Sequence, residues 1–195
     1  MTCMAKKYEF QPDKPYANWL SQLQLTALQR RQVLKWCLYA LVLVIVSVIQ
    51  DVVLCRMRFF GSCTDLVPCG IFLICILEGS HQGSIFALAA SLVYLMSGSA
   101  PGPQVLVLIT LPAIFVCMLR EVYLRPRLLS AMLCTTLAMA VYEVMVFGFC
   151  MLLGFVTFSR IVSFLLSAVL SIPAIPLLYL IARPIMAIGG KSWKD

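Results

Sequence analysis

One carboxylate stands out among the side chains of this sequence that could do chemistry. Glu143 lies near the centre of an apolar run, beside Tyr142 and one to two helical turns after Thr135 and Thr136. A charged carboxylate is costly at the depth of a bilayer, so it must face other helices, find a partner or be protonated. Glu143 is either a ligand or proton-binding group, or a contact to another helix. The second reading is favoured because few other such groups are present.

Residues that build catalytic or metal sites are otherwise scarce in this sequence. His81 is the single histidine and lies in a polar turn, so by itself it makes neither a metal site nor a catalytic triad. The sequence contains no phosphate-binding glycine loop, no zinc-protease motif and no dinucleotide fingerprint. We therefore predict a protein that is not an enzyme, with no catalytic residues, no metal and no cofactor.

The nine cysteines lie mostly inside apolar runs, where cysteine behaves as a small apolar side chain. They have no metal-binding spacing. Cys55, Cys63 and Cys69 flank one loop, and a disulfide among these three is conceivable.

Composition places the chain in a membrane. Of its 195 residues, 62% are hydrophobic and 12% are charged, and the mean hydropathy is +0.98. A soluble domain has about 25% charged residues, so lipid must cover this chain. The net charge of +7 does not indicate nucleic acid, because the basic residues sit at the ends of apolar runs and not along one stripe.

Six apolar segments, separated by polar or proline-rich breaks, predict an all-α, polytopic membrane bundle. Residues 1–33 are expected to form a cytoplasmic tail and an amphipathic interfacial helix, with an ordinary cytosolic helix as the alternative. Residues 34–190 are expected to form the transmembrane domain. The expected spans cover residues 34–54, 66–78, 84–98, 104–120, 128–155 and 161–188.

Local composition adds three expectations about these spans. Residues 78–83 are predicted to form the turn between the second and third spans. The small residues of the third span mark it as a buried helix or a dimer contact, and burial is favoured. Pro173, Pro176 and Pro184 are predicted to kink the sixth span.

The distribution of basic residues predicts the orientation. With both termini in the cytoplasm, twelve of the fifteen lysines and arginines fall in cytoplasmic segments. Cytoplasmic loops carry an excess of lysine and arginine, so this arrangement is the one expected. It requires an even number of spans, in agreement with six.

The stretch from Gln50 to Arg120 carries a family resemblance. Residues 64–68 read Thr-Asp-Leu-Val-Pro at the start of the second span, residues 78–83 form a glycine-bracketed turn, and Ser97-Gly98 closes the third span. This pattern resembles the bacterial rod shape-determining MreD family. The prolines and Arg183 of the last segment resemble that family's final span.

The resemblance implies a non-enzymatic role in the bacterial cytoplasmic membrane. The family organises the cell-elongation machinery for lateral peptidoglycan synthesis. It works with the single-span protein MreC and, indirectly, with MreB filaments and the peptidoglycan synthases. Partner binding would use close helix packing and a few interhelix hydrogen bonds. The candidate partner contacts are Asp65, Pro68, Glu78, Gly83, Gly98 and Glu143.

One alternative function stays open at this stage. The substrate-binding subunits of energy-coupling-factor vitamin transporters are also six-helix membrane proteins of about this length, with a similar architecture. They bind a small molecule near the outer face, where this chain offers Phe59, Phe60 and two arginines. A membrane enzyme is a weaker alternative, since no nucleophile, metal cluster or carboxylate pair is evident.

Overall fold

The computed structural model describes residues 27–53, 64–98, 100, 102–123 and 128–188, and all of the regular structure in these ranges is helical. Cys55 and Cys63 lie outside these ranges, and so does most of the predicted interfacial helix. The described α-helices are α1 (Ala27–Val52), α2 (Leu66–Glu78), α3 (Ser80–Met96), α4 (Val105–Tyr123), α5 (Leu128–Leu152), α6 (Ile161–Ser171) and α7 (Ala174–Ile188). A short 3-10 helix over Phe158–Arg160 precedes α6.

Helix α2 forms the centre of the bundle. It packs against α1, α3, α4, α5 and α7, and every residue from Val67 to Leu77 is buried. Its sequence is apolar on all sides, which is typical of a helix that protein or lipid surrounds completely. At 1.5 Å per residue its 13 residues measure about 20 Å, shorter than the hydrocarbon core of about 30 Å.

The neighbouring helix α1 has one face buried in the bundle and one face exposed. Its buried side chains recur every three or four residues, at Lys35, Tyr39, Leu43, Val46 and Gln50. This is the spacing of one helix face. The opposite face exposes branched apolar side chains, as a surface that faces lipid does. The core-facing stripe begins with a charged residue and ends with an amide, so both ends of α1 bring polar groups into the bundle.

Two helices are long and apolar enough to cross a membrane, Gln29–Val52 and Leu128–Leu152. A third crossing results if Phe158–Ser171 and Ala174–Ile188 are counted as one bent span. The remaining apolar helices, Leu66–Glu78, His81–Met96 and Val105–Arg120, fall short of that length within the described residues. The structure therefore supports a helical membrane protein with two or three such helices.

The connection between α2 and α3 differs from the predicted turn over residues 78–83. A single residue, Gly79, joins the two helices, and Ser80 already begins α3. Gly79 has φ of 94°, which glycine adopts without the clash that a Cβ would cause. The prediction was wrong because residues 80–83 continue as helix, which places Gly83 in the first turn of α3.

The expected burial of the third span holds for only one of its faces. Helix α3 buries one face through Gly83, Ala87, Ala90 and Tyr94, but its other face is exposed, with Leu88 56% accessible. Its small residues allow close packing on one side and do not enclose the helix. The enclosed helix is α2, whose large aliphatic side chains fill the centre.

The proline-containing last segment bends as expected. Helices α6 and α7 meet at Ile172 and Pro173 with an angle of 44° between them. Proline lacks the N–H that would continue the helical ladder, which explains a bend at this point. Pro184 lies inside α7.

We predict that Gly83→Ala destabilises the protein and that Gly148→Ala does not. A Cβ at Gly83 would lie 3.0 Å from Cys117 Sγ and 3.1 Å from the Cα of Cys75, whereas a Cβ at Gly148 would meet nothing within 4 Å. Overpacking of this kind costs about 1–3 kcal/mol. Thermal unfolding of the detergent-purified variants measures the difference, and an equal melting temperature for both would refute close packing at Gly83.

Candidate functional site

The first buried polar group lies where α1 meets the end of α2, and we call it the Lys35 cluster: Lys35, Tyr39 and Glu78. Lys35 Nζ lies 2.5 Å from Glu78 Oε2, and Tyr39 Oη donates to Glu78 Oε1 at 2.8 Å. Both side chains of the ion pair are less than 5% exposed. Both carboxylate oxygens of Glu78 are therefore bound by α1, which fixes α1 to the start of the α2–α3 connection.

Aromatic rings cover the Lys35 cluster on the α3 side. The Trp36 ring lies 5.6 Å from the Phe86 ring and 5.8 Å from the Tyr39 ring, measured between centroids. Lys35 Nζ stands 5.5 Å above the Trp36 ring, within the range of a cation–π contact. These rings lie beside a buried ion pair, and removal of one partner from such a pair leaves an uncompensated buried charge.

A second buried polar group lies at the opposite ends of α1 and α2, and we call it the Glu143 cluster: Gln50, Asp65, Tyr94, Tyr142, Glu143 and Ser167. Gln50 connects three helices within it. The Val67 N–H donates to Gln50 Oε1 at 2.9 Å, and Gln50 Nε2 donates to Tyr94 Oη at 3.4 Å. Gln50 thus satisfies one of the unpaired N–H groups at the start of α2. Asp65, at the N-cap position, makes no such bond.

Glu143 joins α5 to the bent segment. Ser167 Oγ of α6 donates to Glu143 Oε1 at 2.8 Å, and both residues are buried. Ser167 lies four residues before the end of α6 at the bend, and its carbonyl accepts a hydrogen bond from Ser171 Oγ at 3.0 Å. The Glu143 carboxyl is therefore held against α6, close to the bend between α6 and α7.

The hydroxyl of Tyr142 is the unusual atom of the Glu143 cluster. Tyr142 is fully buried, its ring packs edge-on against Phe72, and its hydroxyl has no hydrogen-bond partner in the described part of the chain. A buried hydroxyl without a partner is rare in folded proteins and calls for an explanation.

A lateral groove separates α1 from α3. These helices make few contacts with each other, and the space between them, about 470 Å³, is open along the side of the bundle. Alanines, branched aliphatic side chains and two aromatic rings line it: Trp36, Ala40, Leu43, Val44, Gln82, Ile85, Phe86, Ala89, Ala90 and Val93. A second, smaller groove of about 270 Å³ lies between α4 and α5.

The predicted contact residues do not form one site: Asp65 precedes the first turn of α2, and Glu143 hydrogen-bonds to Ser167 of α6. Pro68 is buried in the first turn of α2, and Gly98 is exposed just beyond α3 with φ of 77°. Glu78 belongs to the Lys35 cluster, and Gly83 packs against α2 and Cys117. Cys69 is a buried free thiol in α2, so it takes no part in the disulfide considered above.

Sequence analysis missed the roles of Lys35, Tyr39, Tyr142 and Ser167. Lys35 is one of the twelve basic residues predicted to lie on the cytoplasmic side, but it also stands four residues before Tyr39 on the helix face that carries Leu43. That spacing was a usable signal. The pairing of Ser167 with Glu143 had no local signal, because the two residues lie on different helices.

Comparison of this chain with protein-family models, curated proteins and solved structures finds no match.

We predict that Lys35→Met destabilises the protein by about 3–5 kcal/mol, because it removes the ammonium group that is paired with the buried Glu78 carboxylate. The double variant Lys35→Met, Glu78→Gln should recover most of that loss, since it removes both charges together. Thermal unfolding in detergent measures both. Arg30→Met, at an exposed position on the same helix, serves as the control and should change stability by less than about 0.5 kcal/mol. Equal losses in the single and double variants would contradict the buried ion pair.

Proposed function

We propose that this chain is a non-enzymatic scaffold of the bacterial cytoplasmic membrane that serves the cell-elongation machinery, in the manner of the MreD proteins it resembles. In this proposal it spans the membrane six times with both ends in the cytoplasm. It binds an MreC-like single-span protein and, through it, MreB-like filaments and the synthases of lateral peptidoglycan. The proposal combines the sequence resemblance with the groove between α1 and α3.

The observation that supports partner binding most directly is this lateral groove. Its lining is apolar, it opens sideways towards the lipid, and three alanines, Ala40, Ala89 and Ala90, lie along it. Small residues let a second backbone approach closely, and membrane helices associate through such packing because lipid provides no hydrophobic drive. One transmembrane helix with bulky side chains on one face fits this shape.

The distribution of polar groups supports a scaffold over a catalyst. The Glu78 carboxylate is bound on both oxygens by α1, and Gln50 and Glu143 each connect one helix to another. These groups hold the bundle together, so they leave the groove apolar. Among the described residues, no group of three or more His, Cys, Asp or Glu side chains is placed to hold a metal ion.

The six-span arrangement is supported by the alternating chain directions of α1, α2 and α3. The short helix α2 returns from α1, and the single-residue connection at Gly79 reverses the chain into α3. A short apolar helix crosses where the bilayer thins locally or where its flanking residues extend the span. The enclosed position of α2 removes most of its contact with lipid, which lessens the mismatch.

The proposed topology predicts the activity of fused reporters. Alkaline phosphatase, which is active only outside the cytoplasm, should be active when fused after residue 102. It should be inactive when fused after residue 125 or residue 195. The reason is that twelve of the fifteen basic residues then lie on the cytoplasmic side. Activity after residue 195, with equal expression of the fusions, would refute the orientation.

The partner site is tested with Ala89→Trp, which fills the groove between α1 and α3. Binding to an MreC-like protein with a single span should fall at least tenfold in detergent co-purification, because the ring occupies the space meant for a helix. Ala187→Trp, at an exposed position on α7 outside the groove, is the matched control and should bind normally. Full binding by Ala89→Trp would rule out this groove, and tight vitamin binding in place of partner binding would favour the transporter alternative.

A further inference from the structure

The two buried glutamates of the bundle have different partners. Both carboxyl oxygens of Glu78 are bound by α1, and one of the partners is the ammonium group of Lys35. Glu143 is 3% exposed, and its hydrogen bond within the described residues comes from the neutral hydroxyl of Ser167, which donates to Oε1 at 2.8 Å. No lysine or arginine in the described part of the chain forms an ion pair with Glu143. A negative charge on Glu143 is therefore without a counterion there.

Glu143 also lies deep inside α5, a helix that is long and apolar enough to cross a membrane. Fifteen residues of α5 precede it and nine follow it, which places it about 22 Å and about 14 Å from the two ends. A carboxylate removed from water is costly unless it is both paired and hydrogen-bonded, and an unpaired one takes up a proton instead. One hydroxyl donor does not replace the missing cation.

The ionisable groups on the helices around α5 do not supply that cation. Helix α5 packs against α2, α4, α6 and α7, and α6 contains no ionisable residue. The described ionisable residues of the other three helices, with the one that precedes α2, are Asp65, Cys69, Cys75, Glu78, Cys117, Arg120, Tyr179 and Arg183. Arg120 lies beside Gly79 at the Lys35 end of the bundle, and Arg183 is exposed, as is Arg160 before α6. Asp65 is itself an acid and adds no positive charge.

Helix α6 is held to the bundle mainly by its contact with α5. The side chains that it buries are small, namely Ser167, Ala168 and Ser171, so little apolar area fixes it in place. At its other end it meets α7 at a bend of 44°, where Pro173 interrupts the helical hydrogen bonds. The bond between Ser167 and Glu143 is therefore a large part of what holds α6 against α5.

We propose that Glu143 is a proton-binding site and that its bound proton holds α6 against α5. The carboxylate takes one proton from water and becomes a neutral carboxyl, which still accepts the hydrogen bond from Ser167. When the proton returns to water, the carboxylate is charged, water enters the contact, and α6 separates from α5. This site goes beyond the proposed scaffold function and does not depend on it.

Infrared spectroscopy of the full-length protein in detergent tests the bound proton, because protonated and ionised carboxyl groups absorb at different frequencies. At neutral pH the unmodified protein should show a protonated-carboxyl band that Glu143→Gln removes. Ser167→Ala should shift this band to higher frequency, because the carboxyl loses a hydrogen bond. Ser163→Ala, one turn earlier on α6, is the matched control, and both it and Asp65→Asn should leave the band in place.

Thermal unfolding tests whether the proton stabilises the fold. The folded protein holds a proton that the unfolded chain releases to water, so stability falls as the pH rises. From acidic to alkaline pH, the melting temperature of the unmodified protein should fall by roughly 4 °C or more relative to that of Glu143→Gln. At alkaline pH, Glu143→Gln should melt no lower than the unmodified protein, which separates loss of the proton from failure to fold.

Cysteine labelling tests the movement of α6. Ala168 is 4% exposed on the buried face of α6, so the thiol of Ala168→Cys reacts with a water-soluble maleimide only when α6 separates from α5. Mass spectrometry counts this additional adduct over those of the native cysteines. Its rate at alkaline pH should be at least tenfold higher than in the double variant Ala168→Cys, Glu143→Gln at the same pH.

Three results would overturn the proposal. One is the absence of a protonated-carboxyl band from the unmodified protein at neutral pH. Another is the same band in Glu143→Gln, which would place the proton on a different residue. The third is equal labelling of the two Ala168→Cys proteins at alkaline pH, which would show that the proton does not hold α6.

Discussion

A polar group removed from water must find its partner within the protein, and this constraint explains the arrangement of the bundle. Hydrocarbon neither hydrates a carboxylate nor drives apolar helices together. The specific contacts between helices then come from close packing and from a few polar bonds. In this chain those bonds lie at the two ends of α1 and α2, where Glu78 binds Lys35 and Tyr39 and where Gln50 binds the start of α2.

The two polar ends have different consequences. The Lys35 cluster contains its own cation and holds α1 against α2, so its role is complete within the chain. In the Glu143 cluster, Gln50 binds the start of α2 and Tyr94, Ser167 binds Glu143, and the Tyr142 hydroxyl has no hydrogen-bond partner among the described residues.

The surface of the bundle follows from the same constraint. Because the polar side chains are directed inwards, the outer faces of α1 and α3 are left with branched aliphatic residues and alanines. The rings of Trp36 on α1 and Phe86 on α3 are in contact at one end of the groove, and the space between the two helices is open beyond them. The resulting groove is apolar along its length, and this makes a helix a more suitable partner than a soluble peptide.

The sequence by itself determined the membrane class, the helical class and the approximate limits of most helices. It did so because a run of apolar residues without charge has few stable states other than a helix in lipid. The bounds of α2 agree with prediction at both ends, and the bend at Pro173 lies where the proline pattern predicted one. Only the tertiary structure decided that α2 is central, that Glu78 pairs with Lys35, and that Ser167 binds Glu143. These are contacts between residues 24 or more positions apart, and their choice depends on which helix faces meet, which no local pattern of residues encodes.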